Sequence, residues 1–555
     1  MRSKSFVFMA LLMAFMLLAA ACAQQDDGAG GQLDTDGEPV QGGTVVIGAE
    51  QEPAEGLNVE LVCCTLAWGA WLMSQVFEGA YEPDPEFNYV PNIIAEDAEL
   101  TEDPFTLTYR IRDEAQWSDG TPITADDFEF TWQVYIDEDN NVASRDGYEE
   151  IESAEIVDEK TITFTFTENY AGWKDLFNPV LPKHVLEGEN FNKIWNKAWV
   201  DGEGNPIASG PFQFESYKPG AELTLVRNEN YWGEPALLDE AVFRFLPETN
   251  TEIQSLRGGE VDVIYPQPQL ELVPLVNNPD LEVQTNAGTT WEHVDIQVGK
   301  NGHPALKNLY VRQALAYAID RDSLVGNLFG DLSPELTPLH NTIYMQNQPE
   351  YEPHWDKYTA DPQQATQLLE DNGCTKGDDG IYVCDGERLS FEFTSTAGNA
   401  LRESAFEVIQ QQLKPIGIEL KSGFGDAAVV FGNKVLVSGN YDLFMFAWVG
   451  SPDPGGSVEI WKCEGSQNFT GYCNEEATQL LEDSNLALDN TERASLMNQA
   501  DALMAEDIPT IPLYQKPTFL AFHTYLHGVA DNPTDEGPFW NMDEWWIEEG
   551  EGAGA

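Results

Sequence analysis

From about residue 305 the hydrophobic rhythm of the chain changes, and this change limits the available folds more than any other feature. Before it, apolar residues fall in short runs and alternations that suit strands. These are 43–49 (GTVVIGA), 107–111, a hairpin over 151–167 that turns at Asp158-Glu159-Lys160, and 212–216, 223–227 and 242–245. After it, helical windows at 309–319, 362–372, 401–414, 475–487 and 491–505 alternate with short apolar strands at 389–394, 418–420, 443–447 and 511–514. The second of these helices carries its own boundary signals. Asp361 can cap it, Pro362 takes the first helical position, and Gly373 stands just past its end. A β-rich first half followed by alternating helices and strands predicts an α/β protein with an open sheet in its second half. At 555 residues the chain exceeds what one core serves, so two or three lobes are expected. No internal repeat of fixed period appears.

The charge is lopsided. Lys and Arg number 28 against 95 Asp and Glu, a formal net charge of −67, and the acidic residues are spread along the whole chain. Such a surface repels phosphate backbones and anionic membranes, which excludes nucleic acid as a partner class. It fits adaptation to salt, where screening shortens self-repulsion to ~3 Å at 1 M, or simply an acidic extracellular protein. With 42 % hydrophobic and 11 % aromatic residues, the chain has ample material for packed cores.

The N-terminus supplies an address. Arg2 and Lys4 precede an apolar run from Phe6 to Ala21, shorter than the ~20 residues of a membrane span, and Leu18-Ala19-Ala20-Ala21-Cys22 follows. This is the pattern of a secretory signal peptide over residues 1–21. Its ending resembles the bacterial lipoprotein signal, which implies lipid on Cys22. Leu18 stands four places before the cysteine, where that signal normally has three, and an ordinary cleavage nearby is the alternative. Residues 22–42, rich in Gln, Asp and Gly, read as a flexible tether. The expected location is therefore extracytoplasmic, with the membrane touched only through lipid.

Six further cysteines suit that compartment. Cys374 and Cys384 flank a turn-rich Gly377-Asp378-Asp379-Gly380, and Cys463 and Cys473 flank Gly465 and Gly471; two local disulfides are predicted. Cys63 and Cys64 are adjacent and either form a strained vicinal disulfide or stay free and buried. No CxxC and no nearby histidine supports zinc.

Catalytic signatures are missing from the sequence: no GxSxG, HExxH, Walker loop or GxGxxG occurs. Asp137-x-Asp139-x-Asn141 opens like a calcium loop but has Val142 where glycine is required and Tyr148 where glutamate is. His523 and His527 lie in an extended stretch that would not stack them as metal ligands. No catalytic residue, metal or cofactor is assigned.

Several segments, taken in order, carry a family resemblance. They are Gly42-Gly43-Thr44 through Pro53, Val76-Phe77-Glu78-Gly79, Leu107 to Arg112, and the turn Trp117-Ser118-Asp119-Gly120-Thr121-Pro122 running to Phe128. Gly210-Pro211-Phe212, Arg227 to Gly233, Gly259-Glu260-Val261-Asp262, Val311 to Arg321 and Ile508 to Tyr514 complete the series. Over residues 42 to about 515 the chain resembles the solute-binding proteins of ABC importers, in the dipeptide, oligopeptide and nickel class of family 5. Most of these residues have structural reasons of their own, since glycines and buried aromatics encode backbone and packing needs.

The resemblance implies a three-lobed, Venus-flytrap fold of the type II periplasmic binding class. Lobe I is discontinuous (43–85, 205–300 and 520–545), lobe II is a β-rich insertion (86–204), lobe III is α/β (301–519), and 546–555 is a tail. It also implies a monomer that closes on a peptide or peptide-like ligand and serves the transmembrane subunits of an ABC permease. In peptide-binding members a strand of the last lobe ends in Trp-x-x-Asp, whose aspartate pairs with the peptide amine. Here Trp448 is in place, Ser451 holds the aspartate position, and Asp453 follows two residues later. Trp68 and Trp291 are further candidate ligand contacts, each with core packing as the alternative, and Tyr265 is a candidate that reaches the hinge. Competing readings are an extracellular hydrolase on a similar scaffold, a binder of a non-peptide solute, and a sensory binding protein.

Overall fold

Thr44–Ala49 is apolar along its length because both of its faces are covered. Val45, Ile47 and Ala49 enter one core, and Val46 enters another with Ile253, Leu256, Leu275 and Phe519. In the computed structural model, which describes residues 39–553 apart from 54, 62, 65 and 433, this strand lies centrally in a seven-stranded sheet. The spatial order is Leu281–Gln284, Leu520–His523, Val263–Ile264, Thr44–Ala49, Glu240–Phe245, Glu222–Arg227 and Phe212–Lys218. Thr44–Ala49 runs parallel to both of its neighbours, and the other pairs are antiparallel. Asp262 pins the chain's ends together here. Its Oδ2 accepts from Val46 N at 2.7 Å, and its Oδ1 accepts from Tyr525 Oη and Ala553 N, each at 2.7 Å. The expected signal peptide, Cys22 and the expected tether up to residue 38 lie outside the described residues.

A four-stranded antiparallel sheet, Glu99–Glu102, Phe105–Arg110, Thr161–Phe166 and Ile151–Asp158, forms the β-rich insertion. Its buried face alternates as a half-covered sheet should, with Phe105, Leu107 and Tyr109 set beside Ile162, Phe164 and Phe166. The helix Ala125–Ile136 brings Phe128 and Tyr135 into the same core. It starts where the turn before it ends. Thr121 N reaches Asp119 Oδ1 at 2.8 Å, Gly120 has a φ of +87°, and Asp127 Oδ2 accepts from Thr124 N at 2.8 Å.

The second half carries a five-stranded sheet in the order Glu419–Ser422, Ser390–Thr394, Leu443–Val449, Ala287–Ile296 and Thr510–Pro517. The helices Leu309–Ala318, Pro362–Asp371, Ala400–Leu413, Glu475–Leu486 and Asn490–Asp507 accompany it. Asp361 caps the second of these, accepting from Gln363 N at 3.0 Å and Gln364 N at 2.8 Å. The strand Ala287–Ile296 corrects one boundary: lobe I was expected to reach residue 300, yet this strand pairs along both edges with the second sheet. It and Thr510–Pro517 lie side by side, and together they carry both chain crossings between the two large sheets.

Three sulfur pairs are bonded: Cys374–Cys384, Cys463–Cys473 and the adjacent Cys63–Cys64. His523 Nε2 meets Leu256 O at 2.8 Å and His527 Nε2 meets Glu548 at 3.0 Å, so each has its own partner. Among the described residues, no helix is long and apolar enough to cross a membrane.

Candidate functional site

A cavity of about 710 Å³ opens between the β-rich insertion and the second half of the chain. Its wall includes Tyr89 and Trp173 from the insertion, with Tyr344, Gln348, Asp453 and Arg493 opposite. Hydrogen bonds hold the two sides together next to it: Ala171 N donates to Asn485 O at 2.8 Å, and the Asn169 side chain donates through Nδ2 to Leu486 O at 3.2 Å. Gln348 is fixed by accepting from Met345 N at 2.7 Å.

The polar groups are placed rather than loose. Arg493 Nη2 lies 2.7 Å from Asp453 Oδ1, Arg493 Nη1 bonds Asp453 Oδ2, and Gly455 N donates to Asp453 Oδ1 at 2.7 Å. Ser451 Oγ donates to Asp453 O at 2.6 Å. Asp453 is therefore no bare acceptor: its carboxylate is already neutralised by a two-point ion pair with Arg493. Tyr89 Oη donates to Asp175. Burial raises the Asp175 carboxyl well above the usual carboxylate range, and Asp453 and Asp535 push the same way. Asp535 is raised to about 6 by burial. Both aspartates nevertheless keep solvent-accessible surface.

The remaining residues singled out from sequence are packed elsewhere. Trp68 is buried against Trp71 and Phe539. Tyr265 is half-buried, edge-on to Trp71 at 5.4 Å. Trp291 is buried beside His293. It is the cross-strand partner of Trp448, which stacks on Phe469 with ring centres 6.0 Å apart. Of the six, Asp453 alone lines the large cavity. Of the residues that sequence reasoning missed, Tyr89 opens the short strand Tyr89–Pro91, Trp173 opens a 3₁₀ turn, Tyr344 lies in a loop and Arg493 in the first turn of the helix Asn490–Asp507. A local signal is Trp173-Lys174-Asp175, an aromatic followed by two opposite charges in a short 3₁₀ turn.

Where the two sheets are joined, a second polar cluster is buried. Glu292, fully buried, receives Arg402 Nη2 at 2.9 Å, Arg402 Nε at 3.1 Å and Lys516 Nζ at 3.0 Å. Burial opposes ionisation of Glu292, but Lys516 and Arg402 outweigh it and hold the carboxyl below its ordinary range. Lys516 Nζ also lies 3.5 Å from Gln267 Oε1, on the far side of the crossing. Among the described residues, no group of three or more His, Cys, Asp or Glu side chains is placed to hold a metal ion.

Comparison with known proteins places this geometry. The profile described as bacterial extracellular solute-binding proteins, family 5 middle, matches residues 88–469. The oligopeptide-binding protein AppA of Bacillus subtilis is 25 % identical over 568 residues, covering 98 % of this chain and 99 % of that one. Among solved structures, the periplasmic EDTA-binding protein EppA superposes with a TM-score of 0.85 at 25 % identity, over 94 % of this chain and all of that one. The structure of AppA from B. subtilis in complex with a nonapeptide gives a TM-score of 0.76 at 23 % identity, over 92 % and 100 % of the two chains.

Proposed function

Because the chain belongs to the bacterial extracellular solute-binding proteins of family 5, we propose that it captures a peptide or peptide-like solute outside the cytoplasm and delivers it to the transmembrane subunits of an ABC permease. The observation that carries this reading is the cavity of about 710 Å³, walled by chain segments that fold on opposite sides of it. Its size lies within the ~300–1,000 Å³ of small-molecule sites. Fixed donors and acceptors among aromatic faces are what an extended peptide backbone needs.

In this reading, lobe I is built on the seven-stranded sheet, lobe II is the insertion at 86–204, and lobe III is built on the five-stranded sheet. Closure is a hinge at the paired strands that cross between the sheets, and the solute favours the closed state by binding it more tightly. Glu292, Arg402 and Lys516 form a rigid charged joint at that hinge. A lipid on Cys22 holds the monomer at the membrane. Trp448 and Ser451 support the wall from behind, next to Pro452, rather than offering an amine anchor. The names of the relatives, which include oligopeptide-binding proteins, support a peptide ligand. The cavity wall holds Glu86, Glu350, Asp453 and Asp489 against Lys174 and Arg493, a balance that argues against a polyanionic solute.

Mass spectrometry of solute co-purifying with the protein, followed by calorimetric titration of a peptide library, tests the proposal. One-to-one binding is expected, weakened about tenfold or more by Tyr344→Ala, as for an aromatic wall worth ~1–3 kcal/mol. Peptides that fail to bind, or bind the variant equally well, would overturn it.

A further inference from the structure

A second, smaller cavity of about 90 Å³ lies apart from the large one, between the segment after the helix Ala67–Ser74 and the C-terminal segment. Four carboxylates line it: Glu78, Glu82, Glu536 and Asp543. They come from two stretches of the chain, 78–82 and 536–543, more than 450 residues apart, so local sequence does not explain their convergence. Glu78 is 8 % exposed. Its Oε1 accepts from Tyr231 Oη at 2.5 Å, while its Oε2, fully enclosed, makes no hydrogen bond. A buried carboxylate oxygen without a donor costs roughly 1–3 kcal/mol or more, and here that oxygen belongs to a residue lining a cavity that a donor could enter.

The indole N–H of Trp232, also near Glu78, donates to Ser209 O at 3.1 Å. Arg112 is the cation within electrostatic reach of Glu78. Its guanidinium is committed to Asn92 O at 2.6 Å and Pro91 O at 3.3 Å, and it sits over Trp232. Asp535, next to Glu536, adds a further negative charge. Burial pushes Glu78 up to about 8, with Asp543 adding to the rise against the lowering pull of Tyr231 and Arg112. Glu82 is likewise raised to about 8 by burial and then by Glu78 and Asp543, and Asp543 to about 6 by burial and Glu544.

We propose that this cavity is a binding site for a small cation that presents hydrogen-bond donors. An ammonium or guanidinium group qualifies, as does an alkali ion within part of its water shell. Three features set that chemistry. Glu78 Oε2 needs a donor. Among the described residues, no three carboxylates are placed to coordinate a bare metal directly. The volume suits about three water-sized groups at ~30 Å³ each. Tyr81, Tyr231 and Trp540 add aromatic faces, which attract cations. The cation is either inorganic or part of the captured solute; only the second source rests on the function proposed above.

The test uses the mature protein, with thermal unfolding at pH 7.5 in potassium, ammonium, guanidinium and tetramethylammonium chlorides at equal, low ionic strength. Binding should saturate, raise the unfolding temperature and release protons, seen as a buffer-dependent calorimetric heat. Tetramethylammonium, which has no donor, should not do so. Glu78→Gln should shift half-saturation at least tenfold, and Asp543→Asn carries the same comparison should that variant not fold. A basic dipeptide against its neutral counterpart separates the sources. A response to the basic dipeptide alone assigns the cation to the solute, and a response to the free ions assigns it to the medium. Equal stabilisation by all four salts, or variants that respond like the wild type, would mean screening only and would overturn the proposal. Capture of neutral peptides reports separately on the function.

Discussion

Arg493 closes on Asp453 through two guanidinium nitrogens, and Asp453 in turn caps the short turn that begins at Pro454. The pair is almost wholly buried, with side-chain exposures of 7 % and 11 %. Removing one partner strands the other in low dielectric. Arg493→Met is expected to cost about 3–5 kcal/mol in urea unfolding, and Asp453→Asn a similar amount. The double variant should lose less than the sum. Loss of peptide binding in Asp453→Asn at unchanged stability would instead make Asp453 the ligand anchor.

Glu292 should make the protein acid-sensitive in a defined direction. Its carboxyl is held below its ordinary value of 4.5 by Lys516 and Arg402, so its contribution is present above about 4.5 and disappears as pH falls through the lower folded value. Glu292→Gln removes that acid-side loss and leaves two buried cations together. Unfolding at pH 7 is expected to be easier by about 3–5 kcal/mol.

Glu252 makes the opposite prediction. It is fully buried, neither carboxylate oxygen has a hydrogen bond, and burial, aided by Glu50, raises it from 4.5 to about 9. The folded state therefore holds a proton that the unfolded state has released, and stability falls as pH rises from about 4.5 towards 9. Glu252→Gln should stabilise by on the order of 3 kcal/mol at neutral pH and flatten the alkaline decline in melting temperature.

Gly210 is a packing requirement. A Cβ there would stand 2.7 Å from the backbone oxygen of Gln75, in a corner where Gly210 N donates to Val76 O at 2.9 Å. Gly210→Ala should destabilise by about 1–3 kcal/mol, visible as a lower unfolding midpoint with an unchanged denaturant slope.

These positions show what the sequence disclosed. Thr44–Ala49 was legible because burial on both faces leaves an uninterrupted apolar run, and Pro362–Asp371 because its cap, proline and glycine are local signals. The ion pair of Asp453 with Arg493, forty residues on, has no such mark, since nothing periodic joins a loop aspartate to a helix arginine. The family pattern drew the eye to Trp448, where an aromatic residue stands beside Ser451. Here Phe469 covers that ring, a contact between distant segments that spacing does not encode. The strand Ala287–Ile296 was misplaced for the same reason. Its partners lie in later stretches of the chain, and only pairing reveals which sheet it joins.

The seating of Leu520–His523 between Val263–Ile264 and Leu281–Gln284 sets an order in time. Until those late residues are delivered, the first large sheet is two fragments with raw edges, and Thr44–Ala49 waits through nearly the whole of synthesis for its sheet to be completed. Exposed edges invite pairing with other copies, and non-local sheets form slowly. A chain stopped before residue 520 is thus a candidate for aggregation rather than a smaller working protein. The sheet that begins first is completed last, so its first strand depends on residues made almost at the end of the chain.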